Sequence, residues 1–141
     1  MAEAKAKRLE FAVSLDRDWV AASDKGGPPL AYDPAWTPEH LVLAAAARCA
    51  LTSLEYSLDR AGLTGSAQAG ASGVVTRREE DGRFAFVEVD VALDVELDTE
   101  PPGDELRTLL ARTERGCFVG ASLTAKPRYR WTVNGKEIEL A

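Results

Sequence analysis

Two cysteines carry most of the chemical potential of this sequence. Cys49 and Cys117 are the only cysteines among 141 residues and stand 68 positions apart. A thiolate is a nucleophile and a metal ligand, whereas a thiol buried among apolar side chains is inert. Together with the single histidine, His40, the cysteines offer three soft ligands at most, without ligand-type spacing, so no zinc site is expected. Two thiols are too few for a disulfide-stapled scaffold, and a chain of this size needs no staple. Two readings stay open: a pair of small buried hydrophobes, or a redox couple.

Reactivity in a buried setting needs a nearby cation, because desolvation disfavours the thiolate. Arg17, Arg48, Arg60 and Arg115 are the candidates. Arg48 precedes Cys49 directly, which on a helix places it about 100° around the axis and makes it a poor partner. Arg17 lies in Leu15-Asp-Arg-Asp-Trp19, between two acids and close to a strand turn. Glu39, ten residues before Cys49, suits the positive end of a helix. His40 reads as a first-turn helix residue, and Trp36 and Trp131 as core, contact or pocket aromatics.

These residues need elements to position them. Residues 8–23 alternate loosely and suggest one or two short strands. Thr37-Pro38-Glu39 reads as a helix start, with Pro38 at a first position where its missing N–H costs nothing. The helix runs past Leu58 to Gly62, and from Leu41 to Leu51 it is apolar nearly all round, which predicts a helix enclosed by protein with Cys49 in its middle. Residues 66–79 and 83–97 form a hairpin around Asp81-Gly82. In its second arm Val87, Val89, Val91, Leu93, Val95 and Leu97 alternate with polar or small residues, so one face packs and the other meets water. Pro101-Pro-Gly-Asp104 opens a second helix carrying Leu106, Leu109, Leu110 and Thr113. Cys117 follows on the same inward face or just past a cap at Gly116. Tyr129 to Val133, Asn134-Gly135 and Ile138 to Leu140 close the chain as a hairpin with a type I′ turn. The sum is one α+β domain over residues 1–141 with mostly antiparallel sheet.

With these elements in place, Trp36-Thr-Pro-Glu-His-Leu-Val-Leu-Ala-Ala-Ala-Ala-Arg-Cys49 resembles the Pro-Glu-x-Leu, Ala-rich cysteine helix of OsmC/Ohr proteins. Pro38, Glu39, Leu41 and Cys49 match, including the interval of ten from glutamate to cysteine. Gly116-Cys-Phe-Val-Gly-Ala-Ser-Leu123 resembles the family's second-cysteine segment, and the order of elements agrees over nearly the whole length. The resemblance implies antiparallel sheets around a buried central cysteine helix and a second helix, in an intertwined homodimer. It implies a thiol-dependent peroxidase acting on organic hydroperoxides, with Cys49 peroxidatic, Cys117 resolving, and an external dithiol as reductant in place of any cofactor. Glu39 matches the glutamate that orients an arginine, and Arg17 is the match for that arginine. Two positions depart from the pattern. Phe118 stands where members commonly have proline, and the glycines around the family's arginine are replaced by Leu15, Asp16 and Trp19.

Spacing supports a dimer by a separate route. Ten residues of one straight helix span about 15 Å, so Glu39 is poorly placed to serve the Cys49 of its own chain, and a two-fold dimer can bring Arg17 or Glu39 of one copy to Cys49 of the other. Composition narrows the partners. The net charge of −6 disfavours nucleic acid and anionic membrane. Arg77-Arg78 is followed at once by Glu79-Glu80-Asp81 and reads as a solvated hairpin end. The polar start Met1–Arg8 lacks the apolar stretch of a secretory signal, and the run Leu41–Ala47 is too short to span a bilayer, so the expectation is a cytoplasmic protein. The rival functions are a binding or sensing module for a small apolar or thiol ligand, and a structural dimer with inert thiols.

Overall fold

A computed structural model describes residues 6–140, so the first five residues of the polar start lie outside the described residues. The chain divides into two compact units, one up to Thr37 and one from Pro38 onward, each described here by itself.

The first unit is a short hairpin, β1 (Val13–Leu15) paired antiparallel with β2 (Ala21–Ser23). Its turn is built on Asp16, whose Oδ1 accepts from the backbone N–H groups of Asp18 and Val20 at 2.8 and 3.0 Å. Trp19 takes a positive φ of 61° to close it, and its ring meets Tyr32 edge-on at 5.1 Å. Arg17 sits exposed in that turn. Leu9, Phe11, Val13, Leu15, Leu30 and Tyr32 all remain exposed, so the described residues of this unit carry much apolar surface and none of them is fully buried.

The second unit begins with α1 (Pro38–Ala61), starting at the proline as expected. It ends in a Schellman motif: Leu63 N–H donates to the Leu58 carbonyl and Gly62 N–H to the Asp59 carbonyl, with Gly62 at φ +70° where only glycine sits without strain. Next come β3 (Gly65–Arg77) and β4 (Phe84–Leu97), an antiparallel pair, then α2 (Gly103–Arg115), a five-residue α3 (Phe118–Ser122), β5 (Arg128–Val133) and β6 (Lys136–Ile138). The sheet order is β3-β4-β5-β6. β4 and β5 pair in parallel, because α2 and α3 carry the chain back across the sheet between them, so this sheet is not antiparallel throughout. Asn134 and Gly135, at φ 50° and 80°, form the type I′ turn of the last hairpin.

The core lies between the sheet and the two longer helices. Val89, Val91, Leu93, Val95 and Leu97 alternate inward from β4, joined by Trp131 and Val133 of β5, and meet Ala46, Ala50, Leu54 and Leu58 of α1 and Leu106, Leu109 and Leu110 of α2. Val87 breaks the expected pattern. The register slips between Val74 and Val75, which pair with Glu88 and Phe86, so Val87 is the extra residue of a β-bulge and is left exposed.

The expectation for α1 needs a larger correction. Within one chain it is not enclosed: only the stripe Ala46, Ala50, Leu54, Leu58 is buried, at intervals of four, while Leu41, Ala44 and Ala45 face outward. The sheet, α2 and the short α3 cover one side of α1, and among the described residues of this unit Leu41, Ala44 and Ala45 stay uncovered on the other. α1 is also long and apolar enough, by length and composition, to cross a membrane, the one such helix among the described residues; here its buried stripe is part of the sheet-and-helix core.

Candidate functional site

Cys49 and Cys117 come together although 68 positions separate them. Cys49 projects from the middle of α1, half-buried, and Cys117 is fully buried in the link between α2 and α3. Both thiols are free, and they lie within hydrogen-bonding reach of each other. Cys117 is not on the face of α2. That helix ends at Gly116, and Cys117 is extended, with φ −82° and ψ 99°, before α3 starts at Phe118. The glycine at 116 is required by close packing rather than by a left-handed cap: its φ is −84°, and a Cβ there would stand 2.7 Å from Ser53 Oγ of α1. The same contact region is tied by Ser53 Oγ donating to the Thr113 carbonyl at 2.8 Å and by the buried Thr113 hydroxyl donating to Ser57 Oγ at 3.0 Å. These bonds fix α1 against α2 and thereby fix one cysteine against the other.

α3 then presents its first amides to Cys49. Val119 N–H donates to Cys49 Sγ at 3.5 Å, and Phe118 N–H acts in the same sense. Burial is nonetheless the larger influence and pushes the Cys49 thiol up from its ordinary range, with the neighbouring Cys117 adding to the rise and the two amides opposing it. Beneath Cys117 lies Tyr129 of β5. Its hydroxyl is pushed well up, first by burial and then by its hydrogen bond to Cys117, with Glu114 and Cys49 contributing. Glu114 accepts from the indole N–H of Trp131 at 2.8 Å, and burial raises its carboxyl despite that bond.

Cys49 opens onto a cleft of about 1150 Å³ between α1 and α2, lined among others by Tyr56, Arg60, Leu63, Leu109, Arg112 and Phe118. Apolar surface predominates in the cleft, interspersed with the hydroxyls of Thr52, Ser57 and Thr108 and the charges of Asp104 and Glu105. Arg60 is occupied by the Tyr56 hydroxyl at 3.0 Å. No cluster of three or more potential metal-binding side chains exists among the described residues.

Of the four residues singled out in the sequence, the structure therefore joins two. Glu39 is exposed in the first turn of α1, on the same unbroken helix as Cys49 and about 15 Å from it along the axis. Arg17 belongs to the other compact unit, at the β1–β2 turn. Sequence reasoning missed Val119, Glu114 and Tyr129. Backbone amides leave no mark in a sequence, and Tyr129 reads there only as one member of a strand alternation.

The arrangement defines a class: an α+β protein whose central helix places one cysteine beside a second, buried one. The sequence profile of the OsmC-like protein family matches residues 31–132, and the chain belongs to that family. No protein of curated function matches it by sequence. Its fold is shared with an OsmC-like protein of unknown function from Vibrio cholerae O1 biovar eltor, at TM-score 0.70 and 14% identity over 89% of this chain and 99% of that one. The organic hydroperoxide resistance protein OhrB of Bacillus subtilis is similar at TM-score 0.54 and 17% identity over 89% and 96%. A second Vibrio cholerae protein, a putative organic hydroperoxide resistance protein with captopril in one of its active sites, is similar at TM-score 0.63 and 16% identity over 96% and 98%.

Proposed function

We propose that this protein is a thiol-dependent peroxidase that reduces organic hydroperoxides in the cytoplasm. The observation that carries the reading is the meeting of the two thiols, one opening on an apolar cleft and the other buried beside it. The Cys49 thiolate attacks the peroxide, the O–O bond breaks, the alcohol leaves with a proton, and Cys49 becomes a sulfenic acid. Cys117 then displaces hydroxide from that sulfur, which leaves as water, and a Cys49–Cys117 disulfide remains. An external dithiol restores both thiols by exchange. The predominantly apolar cleft favours organic or lipid hydroperoxides over hydrogen peroxide. Relatives of the same fold whose names refer to organic hydroperoxide resistance support this substrate class.

Because burial raises the Cys49 thiol in a single chain, the reaction needs a cation. In this proposal Arg17 supplies it, stabilising the thiolate and the charge that develops on the peroxide oxygen, while Glu39 holds the guanidinium through a bidentate pair. The protein works as a homodimer. The uncovered apolar face of α1 and the exposed apolar side chains of the first unit support that assembly, as does the distance from Glu39 to the Cys49 of its own helix.

A free-thiol titration after one equivalent of cumene hydroperoxide tests the reading. Both thiols are expected to disappear within seconds in the parent, neither in Cys49→Ser, while Cys117→Ser stops at a sulfenic acid. Survival of both thiols in the parent sinks it. The raised Cys49 favours a second reading in that event, a binding or sensing module whose cleft takes a small apolar or thiol ligand without turnover.

A further inference from the structure

Gly120 exposes a contact that the two-cysteine scheme does not use. A Cβ at this position would collide with the Tyr129 hydroxyl and stand 3.3 Å from Cys117 Sγ and 3.3 Å from Pro127 Cγ. The hydroxyl and the sulfur thus converge on one bare α-carbon, and they can do so only because residue 120 has no side chain. Gly120 is itself buried, Tyr129 is half-buried on β5, and Cys117 is 1% exposed. Water therefore has little access to the Cys117 sulfur, and the tyrosine hydroxyl is a donor fixed beside it.

We propose that Tyr129 is the hydrogen-bond donor that orients the Cys117 sulfur and stabilises its thiolate for attack on Cys49. The inference rests on the peroxidase reading for its purpose, though not for its geometry. In the resolving step the Cys117 proton and the hydroxide of the Cys49 sulfenic acid leave together as water. One S–S bond forms and one S–O bond breaks. Tyr129 gives up no proton of its own in this step; it donates a hydrogen bond to a sulfur that becomes anionic and is then neutralised in the disulfide. The direction of its titration agrees, since a hydroxyl held protonated by burial and by its contact with the Cys117 sulfur is a donor and not a base. When the external dithiol later attacks Cys49, Cys117 is the leaving sulfur and the same donor serves it.

Tyr129→Phe keeps the ring and deletes the donor. Disulfide formation after one equivalent of cumene hydroperoxide is expected to slow roughly tenfold, the scale of one hydrogen bond to a charged group, while sulfenic acid formation at Cys49, trapped with dimedone, keeps its rate. Unchanged disulfide formation overturns the proposal. A second measurement stands apart from peroxide chemistry: modification of Cys117 by methyl methanethiosulfonate at pH 7.5 in Cys49→Ser, with and without Tyr129→Phe. Loss of the donor makes this reaction slower, whereas mere loosening of the packing makes a buried thiol react faster, so equal or faster modification overturns the proposal. Glu114 and Cys49 are the other titratable groups that face this hydroxyl, and the paired variants hold both constant. Should the parent form no sulfenic acid, the peroxidase reading fails, and the modification rates still decide the contact.

Discussion

Phe118 shows how much a single backbone N–H can matter at this site. Position 118 is the first residue of α3, where proline is tolerated, and Cys117 before it already has the extended backbone that a following proline demands. Phe118→Pro should therefore fold normally while deleting one of the two amides that favour a charged Cys49. Alkylation of Cys49 by iodoacetamide at pH 8 is expected to slow by roughly three- to tenfold, the value of one such bond. Phe118→Leu, which keeps the N–H and removes the ring, should leave the rate alone; a loss of equal size in both variants would assign the effect to the ring. Cys49 itself was legible in the sequence because a cysteine within an Ala-rich helical run is conspicuous. The amides opposite it were not: Gly116 marks a possible end of α2, but the close packing of that glycine on Ser53, which sets α3 against Cys49, joins residues far apart in sequence.

Among the elements, the hairpin β3–β4 and the turns were readable because period-two alternation and Asp-Gly or Asn-Gly pairs are local properties. The bulge at Val87 and the parallel pairing of β4 with β5 were not. Both depend on partners distant in sequence, as does the burial of Glu114, which sequence alone places on an unremarkable last turn of α2. That carboxyl is raised by burial more than the Trp131 N–H lowers it. A folded value above the unfolded one means that its contribution to stability is complete below the unfolded value and is lost as pH rises through the folded one. Glu114→Gln retains an oxygen to accept from Trp131 and removes the cost of burying a charge. Since the group is only partly buried, the gain at pH 7 is expected to be small, under about 1 kcal/mol. Urea denaturation at pH 4 and pH 7 should show a weaker pH dependence in Glu114→Gln than in the parent. Destabilisation at pH 7 but not at pH 4 would mean that the charge, not the acceptor, supports the indole.

At the scale of the whole molecule, the sequence of α1 and its burial in one chain disagree, and that disagreement is informative. Residues 41 to 51 are apolar nearly all round, yet one chain covers only the stripe from Ala46 to Leu58. A helix of that composition is ordinarily enclosed, so the uncovered face calls for another surface, and the proposed homodimer is the arrangement that supplies one. Activation of Cys49 follows the same logic, because burial within one chain raises its thiol and leaves it a weak nucleophile. Oligomerisation and reactivity are then expected to fail together. Ala45→Lys places a charge on the outward face of α1, two positions or more from any buried core residue other than Ala46, and should leave the sheet and its core folded. Analytical ultracentrifugation is expected to give a dimer for the parent and a monomer for Ala45→Lys, with unchanged circular dichroism. Peroxide consumption with a dithiol should drop at least tenfold in the monomer. A variant that is monomeric yet fully active would separate the two properties and place the activating cation within a single chain.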